Sequence, residues 1–346
     1  MNSFYELIQV ALGSKPILSW TPTPDEWKGL FSLSEKQAVI GVAFEALESL
    51  SRQGQKPPLD VLYQWIGSVE QIKQQNLIVN KRCVEISKLF AEAGYRTCIL
   101  KGQGNARMYP NPLARTAGDI DIWVDAEPDK IEAFVRERFP NEKHGRMHIN
   151  FPVFDDVPVE VHYYPRYMQK PKFDRQLQTF FNAHADEQFR NFVTLSGTKE
   201  ICAVPTTEFN LVQQLAHQMS HFLGEGIGLR QFIDYYYVLK TRKENTRITE
   251  ILKACGLLKF AGGVMWIEKE LLGLEDKYLI VEPTERIGRA IQQTIEEGGN
   301  FGHHNQLNTL RHQSQLGRAV GGAWQWLRAM RYFPTEAIWK LLRKFI

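Results

Sequence analysis

The stretch GDIDIWVD, Gly118 to Asp125, sets two acids one residue apart inside an apolar run. Alternate side chains of a strand point to opposite faces. Ile120, Ile122 and Val124 therefore face a core, while Asp119 and Asp121 share the other face, with Trp123 and Asp125 behind them. Two carboxylates about 7 Å apart on one strand face repel each other. The arrangement makes sense around a divalent cation, and Mg²⁺ (or Mn²⁺) prefers oxygen ligands of this kind. An isolated D-x-D is most often a solvated strand edge, so the surrounding sequence has to decide between the two readings.

The preceding turn favours the cation. Leu100-Lys101-Gly102-Gln103-Gly104 lies between a predicted strand, YRTCIL, and a predicted short helix, GQGNARMY. Glycines let backbone N–H groups approach a phosphate, a helix N-terminus adds partial positive charge, and Lys101 adds a full one. Arg115, four residues before Asp119, is either a further phosphate contact or a solvated loop arginine. A third acid, Glu160, sits in the apolar strand VPVEVHYY with His162 on its face and Val159 and Val161 on the other. If that strand lies beside the D-I-D strand, Glu160 completes a carboxylate triad for two-metal displacement at phosphorus. His148 and His162 flank the acids, where each is either a nucleotide or acceptor contact or a half-exposed strand histidine.

These segments resemble a known family. A Gly-containing turn, short helix, hydrophobic D-x-D strand and distal acidic strand are similar to the nucleotidyltransferase fold of the DNA polymerase beta superfamily. More narrowly, LKGQGNARMYPNPLARTAGDIDIWV, then VEVHYYPR, then LAHQMSHFLGEGIGLRQFIDYYYVL resemble the bacterial uncharacterised nucleotidyltransferase family, over roughly residues 75–275. The resemblance implies that Asp119, Asp121 and Glu160 hold Mg²⁺ and that Gly102 with its neighbours holds the triphosphate. The wider superfamily has Gly-Gly or Gly-Ser where this chain has Lys-Gly-Gln-Gly. The implied reaction moves a nucleoside monophosphate from an NTP to an acceptor hydroxyl or phosphate, the acceptor and base being unspecified. The alternative from another class is a catalytically weak nucleotide-binding or toxin–antitoxin-type interaction module.

Around this stretch the chain reads as α+β: a small mixed-sheet module at 94–204, flanked by helical regions at 1–93 and 205–346. Apolar spacing in MNSFYELIQVAL predicts an opening helix rather than a signal peptide. SEKQAVIGVAFEALESL predicts a helix capped by Ser34 with Gln37, and a longer one runs from about Asp60 to Ala93, stopped by Gly94. A helix near 174–184 and a strand near 190–196 follow. MHINFPVFDDVPVEVHYYP reads as two strands around an Asp-Asp turn.

In the second helical region His217 and His221 stand four apart, the spacing of a metal pair, but with no H-E-x-x-H pattern and no third ligand they fit better as lining for a groove beside the module. Arg230 and Asp234, also four apart, predict an ion pair on a helix face.

A net charge of +3 over 346 residues gives no strong nucleic-acid signal. The segment 311–346 alone carries seven Lys/Arg against one Glu, and 319–346 mixes Trp324, Trp326, Trp339 and Phe345 with cations. That tail either touches an anionic membrane surface or packs its aromatics on the domain. Cys83, Cys98, Cys202 and Cys255 have no C-x-x-C spacing, which argues against zinc or a disulfide framework and fits a reducing cytoplasm.

Overall fold

Strand β2, Ile120–Val124, lies inside a four-stranded sheet of order β1-β2-β4-β3 in a computed structural model. The structure describes residues 1–224, 226–242, 247–300 and 326–343. β1 is Thr97–Leu100, β3 His148–Asn150 and β4 Val159–His162. β1 pairs antiparallel with β2, β2 parallel with β4, and β4 antiparallel with β3. The predicted pair around the Asp-Asp turn is thus β3 and β4. A separate two-stranded ribbon joins β5, Phe192–Thr194, to β6, Ile201–Ala203, a strand the sequence reading did not resolve.

Alternation divides the sheet. Ile99, Ile120, Ile122, Val124, Ile149, Val159 and Val161 face one core with Val79, Cys83, Ile86 and Phe90 of helix α4, Leu59–Glu92, and with Ile131 and Val135 of Pro128–Arg138. On the opposite face Cys98, Leu100 and Trp123 enter a second core. There the Trp123 ring stacks 5.8 Å from Phe209 of helix α8, Thr207–Phe222. α4 bridges the two: Val61, Trp65 and Val69 belong to the second core, its later residues to the first. That second core also joins the chain's two helical regions, with Phe4, Leu7 and Ile8 of α1, Asn2–Ala11, and Leu47 of α3, Ile40–Arg52, in one cluster with Phe260, Ile291 and Ile295. Gln37 ties them by donating to Ile295 O (2.7 Å) and accepting from Leu229 N (3.0 Å).

One helix boundary differs from expectation. Ser34 caps nothing; it lies inside α2, Pro24–Lys36, and its hydroxyl donates back to Leu30 O. The working capping box is Thr23 with Glu26, and a kink at Ala38 (φ 55°) separates α2 from α3. Thr-Pro at the helix start outcompetes Ser34, whose hydroxyl is satisfied one turn back. Gly94 (φ 84°) follows the end of α4 in the conformation glycine suits.

The helix expected near 174–184 is α7, Pro171–Gln188. All four cysteines are free and buried. No helix among the described residues is long and apolar enough to cross a membrane. Within the basic tail, 319–325 with Trp324, and 344–346 with Phe345, lie outside the described residues. Its helix Pro334–Leu342 buries Glu336 and Ala337, Glu336 accepting the N–H groups of Gln169 and Lys170, and exposes Ile338, Leu341 and Leu342.

One buried acid stands outside any site. Glu268, in the π-helical turn Ile267–Leu271, is 0% exposed, and neither carboxylate oxygen has a hydrogen-bond partner among the described residues. Burial holds its carboxyl well above the usual range, so it is neutral in the fold. A raised folded pKa contributes stability at low pH that is lost as pH rises. Glu268→Leu is therefore expected to stabilise the protein by about 1–3 kcal/mol at pH 8 and by less at pH 5. Urea unfolding at both pH values checks this; an equal shift at both contradicts it.

Candidate active site

The parallel register sets Asp121 opposite Glu160 and Trp123 opposite His162. Opposed residues in register share a face, so both acids project from the side not used by the isoleucine core. Asp119, one residue before β2, lies exposed at the rim. Carboxylate oxygens of Asp119, Asp121 and Glu160 come within 4.8 Å of one another.

Cations hold this cluster together. Lys101 Nζ stands 2.8 Å from Asp121 Oδ2, and His162 Nε2 donates to Asp121 Oδ1 at 2.7 Å and lies 3.5 Å from Glu160 Oε2. Burial opposes ionisation of Asp121, but the Lys101 charge and the His162 hydrogen bond outweigh it and hold the carboxyl well below its usual range. Burial also disfavours a charged His162, yet its bonds to Asp121 and Glu160 raise its pKa. Asp119 goes the other way: the neighbouring Asp121 charge lifts its carboxyl above the usual range. His162 is 1% exposed and so is not the half-exposed strand histidine its position suggested; His148 is.

The turn divides its labour differently from expectation. Lys101 takes φ 52°, uncommon for a residue with a side chain, at the point where β1 gives way to α5, Gly102–Ala106. That conformation returns its ammonium over Asp121 while Gly102 (φ 34°) follows it into the cleft. Gln103 and Gly104 face away. The Gln103 amide donates to Asn76 Oδ1 and Asn80 Oδ1 of α4, and a Cβ on Gly104 would come within 3.3 Å of the Val204 side chain. Gln103 ties α5 to α4, and Gly104 permits close packing. α5 is a single turn, so its dipole is a small part of the field.

Arg115 is not a solvated loop arginine: it borders the cleft with its charge already paired. It is 5% exposed, and its Nε and Nη2 grip Asp234 Oδ1 and Oδ2 at 2.7 and 2.8 Å. Tyr109 donates to the same Asp234 at 2.6 Å. Asp234 belongs to α9, Leu229–Thr241, so this bidentate bridge fastens α9 to the loop before β2. Arg230 and Asp234 are both buried rather than on an exposed helix face, and Arg230 donates to Thr116 O at 2.8 Å.

The cleft between acids and helices is narrow, about 40 Å³, room for a few waters. Gln214, His217 and Gln218 of α8 and Arg230 and Gln231 of α9 line it opposite Asp119 and Lys101. His217 and His221 do meet, with ring centroids 4.4 Å apart, but they belong to no three-donor metal group among the described residues. Burial and then the Lys101 charge hold His217 well below its usual pKa. The glutamines were missed from sequence. Their signal was present: Asn210, Gln214, His217, Gln218 and His221 fall at helical spacing along one stripe of the helix. A larger groove of about 930 Å³, beside Lys253, Lys259, Lys269 and Thr284, contains none of the acids.

A family model described as an uncharacterised nucleotidyltransferase matches residues 23–273. No curated protein matches the chain. A solved structure, an antigenic nucleotidyltransferase-like protein from Paracoccidioides brasiliensis, is similar at 11% identity with a TM-score of 0.35, covering 64% of this chain and 97% of its own.

Proposed function

From the premise that this chain belongs to the uncharacterised nucleotidyltransferase family, we propose that its acidic cleft transfers a nucleoside monophosphate from an NTP to an acceptor hydroxyl or phosphate, releasing pyrophosphate. The single observation that carries this reading is the convergence of the Asp119, Asp121 and Glu160 carboxylates within 4.8 Å, beside Lys101. An all-oxygen donor set of three carboxylates fits Mg²⁺ or Mn²⁺, and these three residues would hold it. Such an ion, when bound, supplies charge for the departing pyrophosphate and lowers the pKa of the acceptor.

The chain's own groups do the rest. Lys101 and Gly102 line the cleft beside Asp121 and meet the triphosphate, Lys101 as a point charge on the distal phosphates. Gln103 and Gly104 leave the nucleotide-contacting set because they are spent on packing. Arg115 acts through Asp234 as a positioning residue for α9. A binding-only or toxin–antitoxin-type module has no need of three converging acids.

The test is incubation of the protein with each α-labelled NTP, Mg²⁺ or Mn²⁺ and cell extract, alongside calorimetry with a non-hydrolysable NTP. Metal-dependent NTP binding and label transferred to an extract component are expected. Absence of metal-dependent binding by all four NTPs overturns the reading.

A further inference from the structure

We propose that His148, Glu160 and His162 form a second metal site, for a divalent transition ion such as Zn²⁺, Co²⁺ or Mn²⁺, sharing the Glu160 carboxylate with the three-acid cluster. Strand geometry creates it. Glu160 and His162 are two apart on β4 and so share a face, and the antiparallel register places His148 of β3 directly opposite His162. Their rings lie 5.3 Å apart. Nitrogen and oxygen donors of the three residues come within 4.8 Å of one another.

The spacing suits an ion. His148 Nδ1 is 3.3 Å and His162 Nε2 is 3.5 Å from the same oxygen, Glu160 Oε2. Donors each about 2.1 Å from one ion stand roughly 3.0 Å apart at an octahedral edge and roughly 3.4 Å apart at a tetrahedral one. His148 Nδ1 is a buried nitrogen that lies near Glu160 yet has no hydrogen-bond partner among the described residues. His162 Nε2 donates to Asp121 when no ion is present; with the ring proton on Nδ1, 3.4 Å from the Tyr164 carbonyl, Nε2 is released to an ion, as the outer partners of metal-binding histidines arrange.

The donor set also separates this site from its neighbour. Three carboxylates suit a hard ion, whereas two imidazoles and one carboxylate suit a transition ion and leave positions open for water or substrate. Glu160 has two oxygens and one of them faces both histidines, so it can bridge two different ions. The proposal does not depend on nucleotidyl transfer, because occupation of the site is read from the metal itself.

The experiment uses the full chain, freed of metal with a chelator. Co²⁺ is titrated while its visible d–d bands are followed, and bound Mn²⁺ is probed by pulsed electron paramagnetic resonance for ¹⁴N coupling. Wild type is expected to bind Co²⁺ and to show imidazole nitrogen coupling. His148→Ala should weaken Co²⁺ binding at least 10-fold and diminish the nitrogen coupling. His148→Asn, which keeps a polar side chain on β3, should do the same with an unchanged thermal melt. Asp119→Asn, outside the histidine set, should retain the coupling. Wild type without nitrogen coupling, or His148 variants that bind Co²⁺ as wild type does, overturns the site. Failure of NTP binding or transfer leaves these readouts unaffected, so the two proposals fail separately.

Discussion

Asp119→Asn is expected to abolish nucleotidyl transfer and leave the fold as stable as wild type or more so, whereas Asp121→Asn loses both. The two acids are one residue apart, but the structure gives them opposite surroundings. Asp119 stands exposed at the rim, its pKa raised by the charge of Asp121. Ionised, it adds repulsion that grows as pH rises through its titration, and asparagine removes that repulsion. Asp121 is buried between Lys101 and His162, and its pKa is lowered. A lowered folded pKa contributes stability above the unfolded carboxylate range, lost as pH falls through it. Asp121→Asn removes that contribution and leaves Lys101 and His162 facing a neutral amide, at a cost of about 1–3 kcal/mol. Both substitutions remove a carboxylate from the proposed metal-binding set, so transfer should fall by on the order of 10²–10³-fold or more. Thermal melts and labelled-NTP turnover measure the two effects. Full turnover in both variants removes the metal role, and equal destabilisation removes the difference argued between the two sites.

Asp234→Ala should be the most destabilising single change in the cleft. Asp234 accepts two bonds from buried Arg115 and one from buried Tyr109. Its loss leaves a guanidinium and a phenol buried without their anion, which costs about 3–5 kcal/mol. Arg115→Lys is expected to be costly as well, since an ammonium does not reproduce the two parallel bonds of the planar fork. The double variant Arg115→Met/Asp234→Leu should recover much of the loss, because it removes the stranded charge with its partner. Urea unfolding of the three variants decides it. A loss below about 1 kcal/mol for Asp234→Ala would show that the bridge does not fasten α9 to the loop before β2. Transfer should fall with stability in the single variants, since α9 forms one wall of the cleft.

Local pattern already marked the individual strands and which face of each carries the acids, while their order in the sheet came with the tertiary structure. Alternation in DIDIWVD and VEVH fixes which side chains go inward, and period two leaves no other face for Asp119, Asp121 and Glu160. The Lys-Gly turn, the long helix ended by Gly94 and the flanking helices are likewise local signals, readable because propensity, capping and periodicity act over a few residues. What local signals could not carry was partnership. Arg115 lies 119 positions from Asp234, and nothing near either announces the bridge. Gln103 and Gly104 look like phosphate-turn residues until α4 and Val204 close on them. Ser34 looks like a cap until α2 is seen to start at Pro24. His162 reads as an edge histidine, but the parallel register that sets Asp121 opposite Glu160 buries it between two carboxylates. Only tertiary structure decided these assignments, because desolvation and charge pairing depend on which distant side chain arrives, and a change of partner reverses the role of the same residue.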